Sequence, residues 1–497
     1  MIGWSASVRL TIALTFILIA STAAAQRDVI PFDEPDVIVP GESRFVLPDP
    51  DAHRVDLGDG LVAFVAEDAN TSTVELTALI GASRLDDPEG KTGLAAGVAY
   101  AMRRVDGLTD ALYETAATLE ITTDNEHTRL QLSLLNDDLE RGITLLGDML
   151  RRPPLDDAVL AAYRMAALQA PWNENDPRRR PEFELPRILY SDHPAGRTPT
   201  TESVAAISVS DLRDFHNRYY VPNNVVLAVS GGLDRDAAVE ALKSALFPWE
   251  RARVRHPDVP PVTQTATPRK IHVWDVDRLQ GWMLVGHLGR LGREEDHAAL
   301  EVANYILGGN GAIWKRVHPE LAPARAEGHF DARLFVESRG KRGLSNDISS
   351  YVPVGFRARG LAYAVTPGRP EAIAYLLKII DDGWREIRAD VSDEEVSIAK
   401  DALSKGYFQM RYAGAHATAL TFAEELLLEG GHEWSEGYVE RIQGVTKDEV
   451  LAAARKYFRP EELVAVLVGP IDEIRSSEHP LYKAKLEEFG EIVMHEW

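Results

Sequence analysis

The chain contains no cysteine. That excludes disulfides, thiolate ligation of zinc or iron–sulfur clusters, thiol nucleophiles and lipid attachment through a cysteine. Any metal site must therefore be built from His, Asp and Glu. Positive charge is also scarce. Fifty-four Lys and Arg stand against 77 Asp and Glu, giving a formal net charge of −23 over 497 residues. Such an acidic chain is repelled by polyanions, so no nucleic acid partner is expected. Phosphate-binding loop, dinucleotide-binding glycine triplet and nucleophile-elbow serine are all missing. No two of the 14 histidines lie i, i+4, the spacing that puts two imidazoles on one helical face. Hydrophobic residues, at 45%, are nonetheless plentiful enough for packed cores, which rules out general disorder.

Long apolar runs are confined to the start. Arg9, the stretch Leu10 to Ala20 and the small residues Ala23-Ala24-Ala25 read as a secretory signal over residues 1–25. The run is short for a bilayer span, which needs ~20 residues, so cleavage and export to a bacterial periplasm are expected, with no membrane span afterwards. Residues 26–44 read as an extended acidic arm, and 251–269 as a Pro- and Arg-bearing linker. Between and beyond them lie a first domain (45–250), a second (270–475) and a C-terminal tail (476–497).

The two domains repeat one another. At an offset of 238, Tyr219 meets Tyr457, Pro222 meets Pro460, Gly231 meets Gly469 and Asp234 meets Asp472. Each copy reads as an amphipathic helix, a proline break, a buried strand and a glycine turn. Helical periodicity at 139–150 and 371–382 and strand-like runs at 61–66, 73–80, 128–135, 270–274 and 281–287 extend the reading. The expected fold is α+β: a mostly antiparallel sheet with helices packed on one face, built twice.

Chemistry is harder to place. His127, His193, His287 and His329 stand alone, and a lone His beside a strand is more often a structural residue than a ligand. The most informative segment joins Ala78-Leu79-Ile80-Gly81-Ala82-Ser83-Arg84 to Asp87-Pro88-Glu89-Gly90-Lys91-Thr92-Gly93-Leu94-Ala95. This strand, turn and helix entry resembles the insulinase-like (pitrilysin) zinc metallopeptidase family. The resemblance extends to Ser191–Arg197, Val204–Asp234, Ile306–Gly309 and Ala332–Phe335. Active members of that family continue with His-x-x-Glu-His, two zinc ligands and a general base on one helical face, completed by a later Glu. Here those five positions read Ala96-Gly97-Val98-Ala99-Tyr100. Ala96 and Tyr100 replace the ligands, Ala99 the base, and the later ligand falls near Gln169, with Glu174 out of register.

The resemblance implies substrate contacts at Gly308 and Gly309, and at an Arg and a Tyr seven residues apart. Arg339 fills the Arg position but Asn346 replaces Tyr, and residues 310–331 look inserted. The reading that follows is a non-catalytic subunit with no metal of its own. It would pair with an active insulinase-like peptidase that carries the zinc, and hold peptide or unfolded protein. A peptide-binding scaffold and a metallopeptidase with a displaced site are the alternatives.

Overall fold

The computed structural model describes residues 46–169, 176–262, 269–309, 332–407, 410–476 and 479–497. The signal segment, the whole acidic arm, the 310–331 insertion, Glu174 and His329 lie outside them. Among the described residues, no helix is long and apolar enough to cross a membrane.

The first half contributes strands β1 (Arg54–Gly58), β2 (Leu61–Glu67), β3 (Thr73–Ile80), β4 (Thr118–Thr123), β5 (Thr128–Leu135) and β6 (Val225–Gly231). They form a six-stranded sheet in the order β1-β2-β6-β3-β5-β4, antiparallel except where β2 meets β6. The second half contributes β7 (Lys270–Asp275), β8 (Gly281–Leu288), β9 (Ser349–Tyr351), β10 (Leu361–Gly368), β11 (Val464–Gly469) and β12 (Glu491–His495). Their order, β9-β10-β8-β11-β7-β12, repeats the first sheet from one edge to the fifth strand. The sixth differs. β1 precedes and antiparallels its neighbour, whereas β12 comes from the end of the chain and runs parallel to β7. The 476–497 segment, read as a tail, thus supplies a sheet strand. Its Glu491–His495 register along Lys270–Trp274 supplies the backbone partners that an edge would otherwise lack.

The repeat is local as well as topological. Helix α5 (Val209–Tyr219) and helix α11 (Lys447–Tyr457) begin and end 238 positions apart. Ser208 and Thr446 cap them with reciprocal bonds to Asp211 and Glu449, which satisfy backbone N–H groups that a helix start leaves unpaired. The proline turns at 222–224 and 460–462 then deliver β6 and β11. Every residue of β6 and β11 is buried, as their unbroken apolar runs require for central strands covered on both faces.

Helices α1 (Leu94–Met102), α2 (Leu139–Arg151), α3 (Asp157–Gln169) and α6 (Arg235–Leu246) join α5 in a core over one face of the first sheet, against Leu61, Ala63, Val65, Leu76, Ala78 and Leu130. In the second half, α7 (His297–Leu307), α8 (Pro370–Ala389) and α9 (Asp393–Asp401) pack with α11 beside the equivalent sheet. The opposite faces are covered by exchange. Helix α10 (Ala415–Glu429) of the second half lies on β2 and β6, with Phe422 5.6 Å from Phe64. Helix α4 (Arg180–Tyr190) of the first half lies on β8 and β11, where Leu185, Leu189 and Tyr190 meet Leu284, Val464 and Val466. Each half therefore keeps its own helices on one face, as expected, and borrows one for the other.

Candidate functional site

The turn between β3 and α1 is held by Asp87. Its carboxylate accepts the N–H groups of Gly93 and Ala95, both at 2.7 Å, so two donors of the helix start are satisfied inside the protein. Gly93 adopts φ 104°, and the Tyr163 hydroxyl donates to its carbonyl at 2.6 Å. Burial pushes the Asp87 carboxyl up to about 7 against the opposing pull of the Ala95 and Gly93 hydrogen bonds. The folded protein therefore holds a proton there that the unfolded chain releases near 3.8. By linkage, this residue's contribution to stability falls as pH rises from about 4 to about 7. Asp87→Asn should flatten that fall, read as the pH dependence of the wild-type minus variant unfolding free energy. An unchanged slope would refute the assignment.

Beyond this cap, α1 carries the three positions at issue. Ala96 is half-buried and Ala99 buried. The Tyr100 hydroxyl accepts from Arg104 Nη2 at 2.5 Å, the guanidinium lies over its ring at 4.7 Å, and Tyr163 packs beside it at 5.7 Å. Two methyl groups and a phenol already engaged by an arginine do not fit a zinc ion. Gln169 ends α3 and its side chain lies outside the described residues. Among the described residues, no three His, Asp or Glu side chains gather in a metal-binding group.

Helix α1 packs against β4, the outermost strand of its sheet. Arg103, one turn beyond Ala99, donates to the Ile121 carbonyl at 2.8 Å. Among the described residues β4 pairs only with β5, in register Thr118–Ser133 to Thr123–Thr128, so its other edge, apart from the Ile121 carbonyl that Arg103 occupies, carries backbone groups available to an extended chain.

In the second half, Arg339 and Asn346 do meet: Nη1 donates to Asn346 Oδ1 at 2.8 Å, on the surface, and Phe335 lies 5.9 Å beneath the guanidinium. Gly308 and Gly309 are buried. A Cβ on Gly308 would stand 2.8 Å from Leu334 Cδ1, and one on Gly309 2.7 Å from the Asn304 carbonyl. Packing alone thus accounts for both glycines. His193 and His287 are engaged elsewhere. His193 accepts from Ala195 N–H and reaches the Pro260 carbonyl at 2.7 Å. His287 donates to the Leu288 carbonyl and accepts from Arg459 N–H, and burial, then Arg459, push it down to about 3. The His127 side chain is largely buried, with its Nδ1 3.7 Å from Asp124 and without a hydrogen-bond partner among the described residues.

Sequence reading missed the joint between the halves. Asp86 is wholly buried and receives both Nη atoms of Arg357, at 2.7 and 2.9 Å, with His256 Nδ1 at 2.8 Å. Burial pushes its carboxyl up, but the hydrogen bonds of His256 and Arg357 outweigh that and hold it below 3.8. Beside it Glu126 accepts the backbone N–H groups of Phe356 and Arg357, both at 3.0 Å. Nothing in the sequence pairs positions 271 residues apart.

The molecule is thus a duplicated α+β scaffold with an open strand edge beside a helix that lacks ligands. A family profile described as the peptidase M16 inactive domain matches residues 206–403. An uncharacterised zinc protease of Mycobacterium leprae is 28% identical over 360 residues, 71% of this chain and 75% of that protein. The beta subunit of the mitochondrial-processing peptidase of Bos taurus is 23% identical over 373 residues, 72% of this chain and 71% of its own. The solved M16 inactive domain from Pseudomonas fluorescens shares the fold at TM-score 0.68 and 21% identity, covering 86% of this chain and 99% of its own. A protease from Helicobacter pylori does so at 0.69 and 17%, covering 86% and 100%. These matches make the chain similar to proteins of the M16 peptidase family.

Proposed function

We propose that this chain is a non-catalytic M16 subunit, exported to the periplasm, that pairs with a zinc-carrying M16 peptidase and holds the peptide that its partner cuts. The observation that carries the reading is the side-chain set on α1. Ala96 and Ala99 have no lone pair to offer, and Arg104 occupies the Tyr100 hydroxyl. What this chain supplies instead is backbone: β4 offers an open edge, and added-strand pairing is tolerant of sequence because the main chain makes the bonds. Arg339, held by Asn346, presents a guanidinium suited to a peptide carbonyl or carboxylate. The relatives are compatible with this division of labour, since one is named as a subunit.

The test is co-expression with an M16 chain of the same source that retains His-x-x-Glu-His. Alone, equilibrated with zinc and stripped of loose metal, this chain should retain essentially none and leave peptides intact. Together the two should co-purify and cleave. Cleavage should vanish when the partner's histidines are replaced, and persist when Tyr100 is changed to phenylalanine. One tightly bound zinc per chain with cleavage by this chain alone would overturn the proposal.

A further inference from the structure

A cavity of about 510 Å³ opens where residues 259–262 cross the end of β8. Its wall collects Arg290, Arg357, Arg359, Lys456 and Arg459 against a single carboxylate, Glu294. In a chain of net charge −23 this is a marked local reversal of sign. Three of the cations are neutralised nearby: Arg357 by Asp86, Lys456 by Glu294 and Asp296 at 2.7 and 2.8 Å, and Arg459 by Glu462 at 3.2 Å.

The other two form no salt bridge among the described residues, although the charge of Arg290 reaches Asp296. Arg359 uses Nε on the Gly289 carbonyl at 2.8 Å, and among the described residues no carboxylate meets the rest of its guanidinium. Arg290 is only 3% exposed. It donates through Nε to the Gly292 carbonyl, places Nη1 2.8 Å from His297 Nδ1, and keeps a buried Nη2 with no hydrogen-bond partner. The surplus charge is felt by its neighbours. After burial, Arg459 and Arg359 are what hold the His287 imidazole so far down, and Arg359 also opposes the charge of Arg459.

The backbone fixes this geometry from both halves. The Arg359 carbonyl accepts from the Tyr190 hydroxyl, and Glu126 holds the amides of Phe356 and Arg357. Arg359 is therefore presented by a clamped segment, and little ordering entropy remains to be lost when a ligand docks. Prolines 260 and 261 form part of the rim without backbone donors, which leaves guanidinium N–H groups as the chief donors to a ligand.

We propose that this cavity binds a small anion bearing phosphate or carboxylate oxygens, gripped by the fork of Arg359 with Arg290 and Arg459 behind it. A planar guanidinium with two outward N–H groups matches either oxyanion bidentately, and a partly enclosed wall strengthens the pairing relative to open water. Because the wall includes the linker and the second half, and its Arg357 is latched to the first, the bound anion also stabilises the joint.

The experiment is calorimetric titration of the purified chain at low ionic strength, with inorganic phosphate in one arm and succinate in the other. One site per chain is expected in at least one arm, weakening as sodium chloride is raised. Arg359→Ala should weaken binding by about tenfold or more, the scale of one lost charge-assisted bidentate contact, and Arg359→Lys by less. A response in only one arm assigns the headgroup and supports the site. Arg359 makes one structural side-chain bond, so the alanine variant should fold. If it does not, Arg359→Gln serves in its place. Absence of binding in both arms up to ~10 mM, or equal binding by wild type and the Arg359 variants, overturns the proposal.

Discussion

Arg357→Ala should cost the fold about 3–5 kcal/mol, because it strands a buried carboxylate. Asp86 has no exposed side-chain surface, and its oxygens are met by Arg357, His256 and Ser83. Removing the guanidinium deletes two charge-assisted bonds and leaves an ion whose desolvation is no longer compensated. Urea denaturation followed by tryptophan fluorescence gives the number, and a loss below ~1 kcal/mol would refute it. The pair also predicts a sign. Asp86 is held below its unfolded value of 3.8, so its stabilisation is present above pH ~4 and is lost as pH falls through the lower folded value. Wild type should therefore shed more stability than Arg357→Ala in that acid window. Asp86→Asn combined with Arg357→Met should recover much of the single variant's loss, since neither charge is then left alone.

Gly231→Ala should be at least as damaging, by roughly 3 kcal/mol or more. Gly231 ends β6 at φ 119°, a region L side chains rarely adopt, and an added Cβ would lie 2.1 Å from the Thr73 carbonyl. That carbonyl belongs to β3, the neighbour of β6 at the sheet centre, so it cannot yield without disturbing the ladder. Gly469, its counterpart in the repeat, lacks the positive φ. A Cβ there would stand 2.8 Å from Gly281 Cα. Gly469→Ala should accordingly cost less, and equal losses in the two variants would contradict this reading.

The contrast shows what a sequence encodes legibly. Repeated local signals came through: both amphipathic helices, both proline turns and both central strands stand where Tyr219 and Tyr457, Pro222 and Pro460, and the valine-rich runs put them. The strands at 73–80 and 128–135 were readable from apolar runs and alternation, and the structure gives them the same limits. What escaped was non-local. Helix α10 is buried on most of its circumference, so its sequence has no clear polar face to say which sheet it serves. Strand β10 ends in Thr-Pro-Gly, residues that signal a turn, although its edge-side pairing tolerates them. Strand β4, with its Thr-rich and mostly exposed pattern, carries little hydrophobic signal.

The site was legible only through resemblance. Ala96, Ala99 and Tyr100 draw attention only because a known motif puts other residues there, whereas the cavity around Arg359 is made by folding and has no linear signature. The Asp86–Arg357 pair, by contrast, could have been suspected from neither. An aspartate at a turn and an arginine in a loop are ordinary surface residues until the two halves meet.

The exchange of helices between the halves sets a schedule for synthesis. The face of the first sheet that carries Phe64 is complete when residue 231 has been made, yet its cover, α10, ends at Glu429. At ~5–20 residues per second the ribosome needs roughly 10–40 s to deliver that cover. Throughout that interval the apolar face around Phe64 lacks the helix that covers it in the folded protein, so the first half cannot complete its packing before the second half arrives.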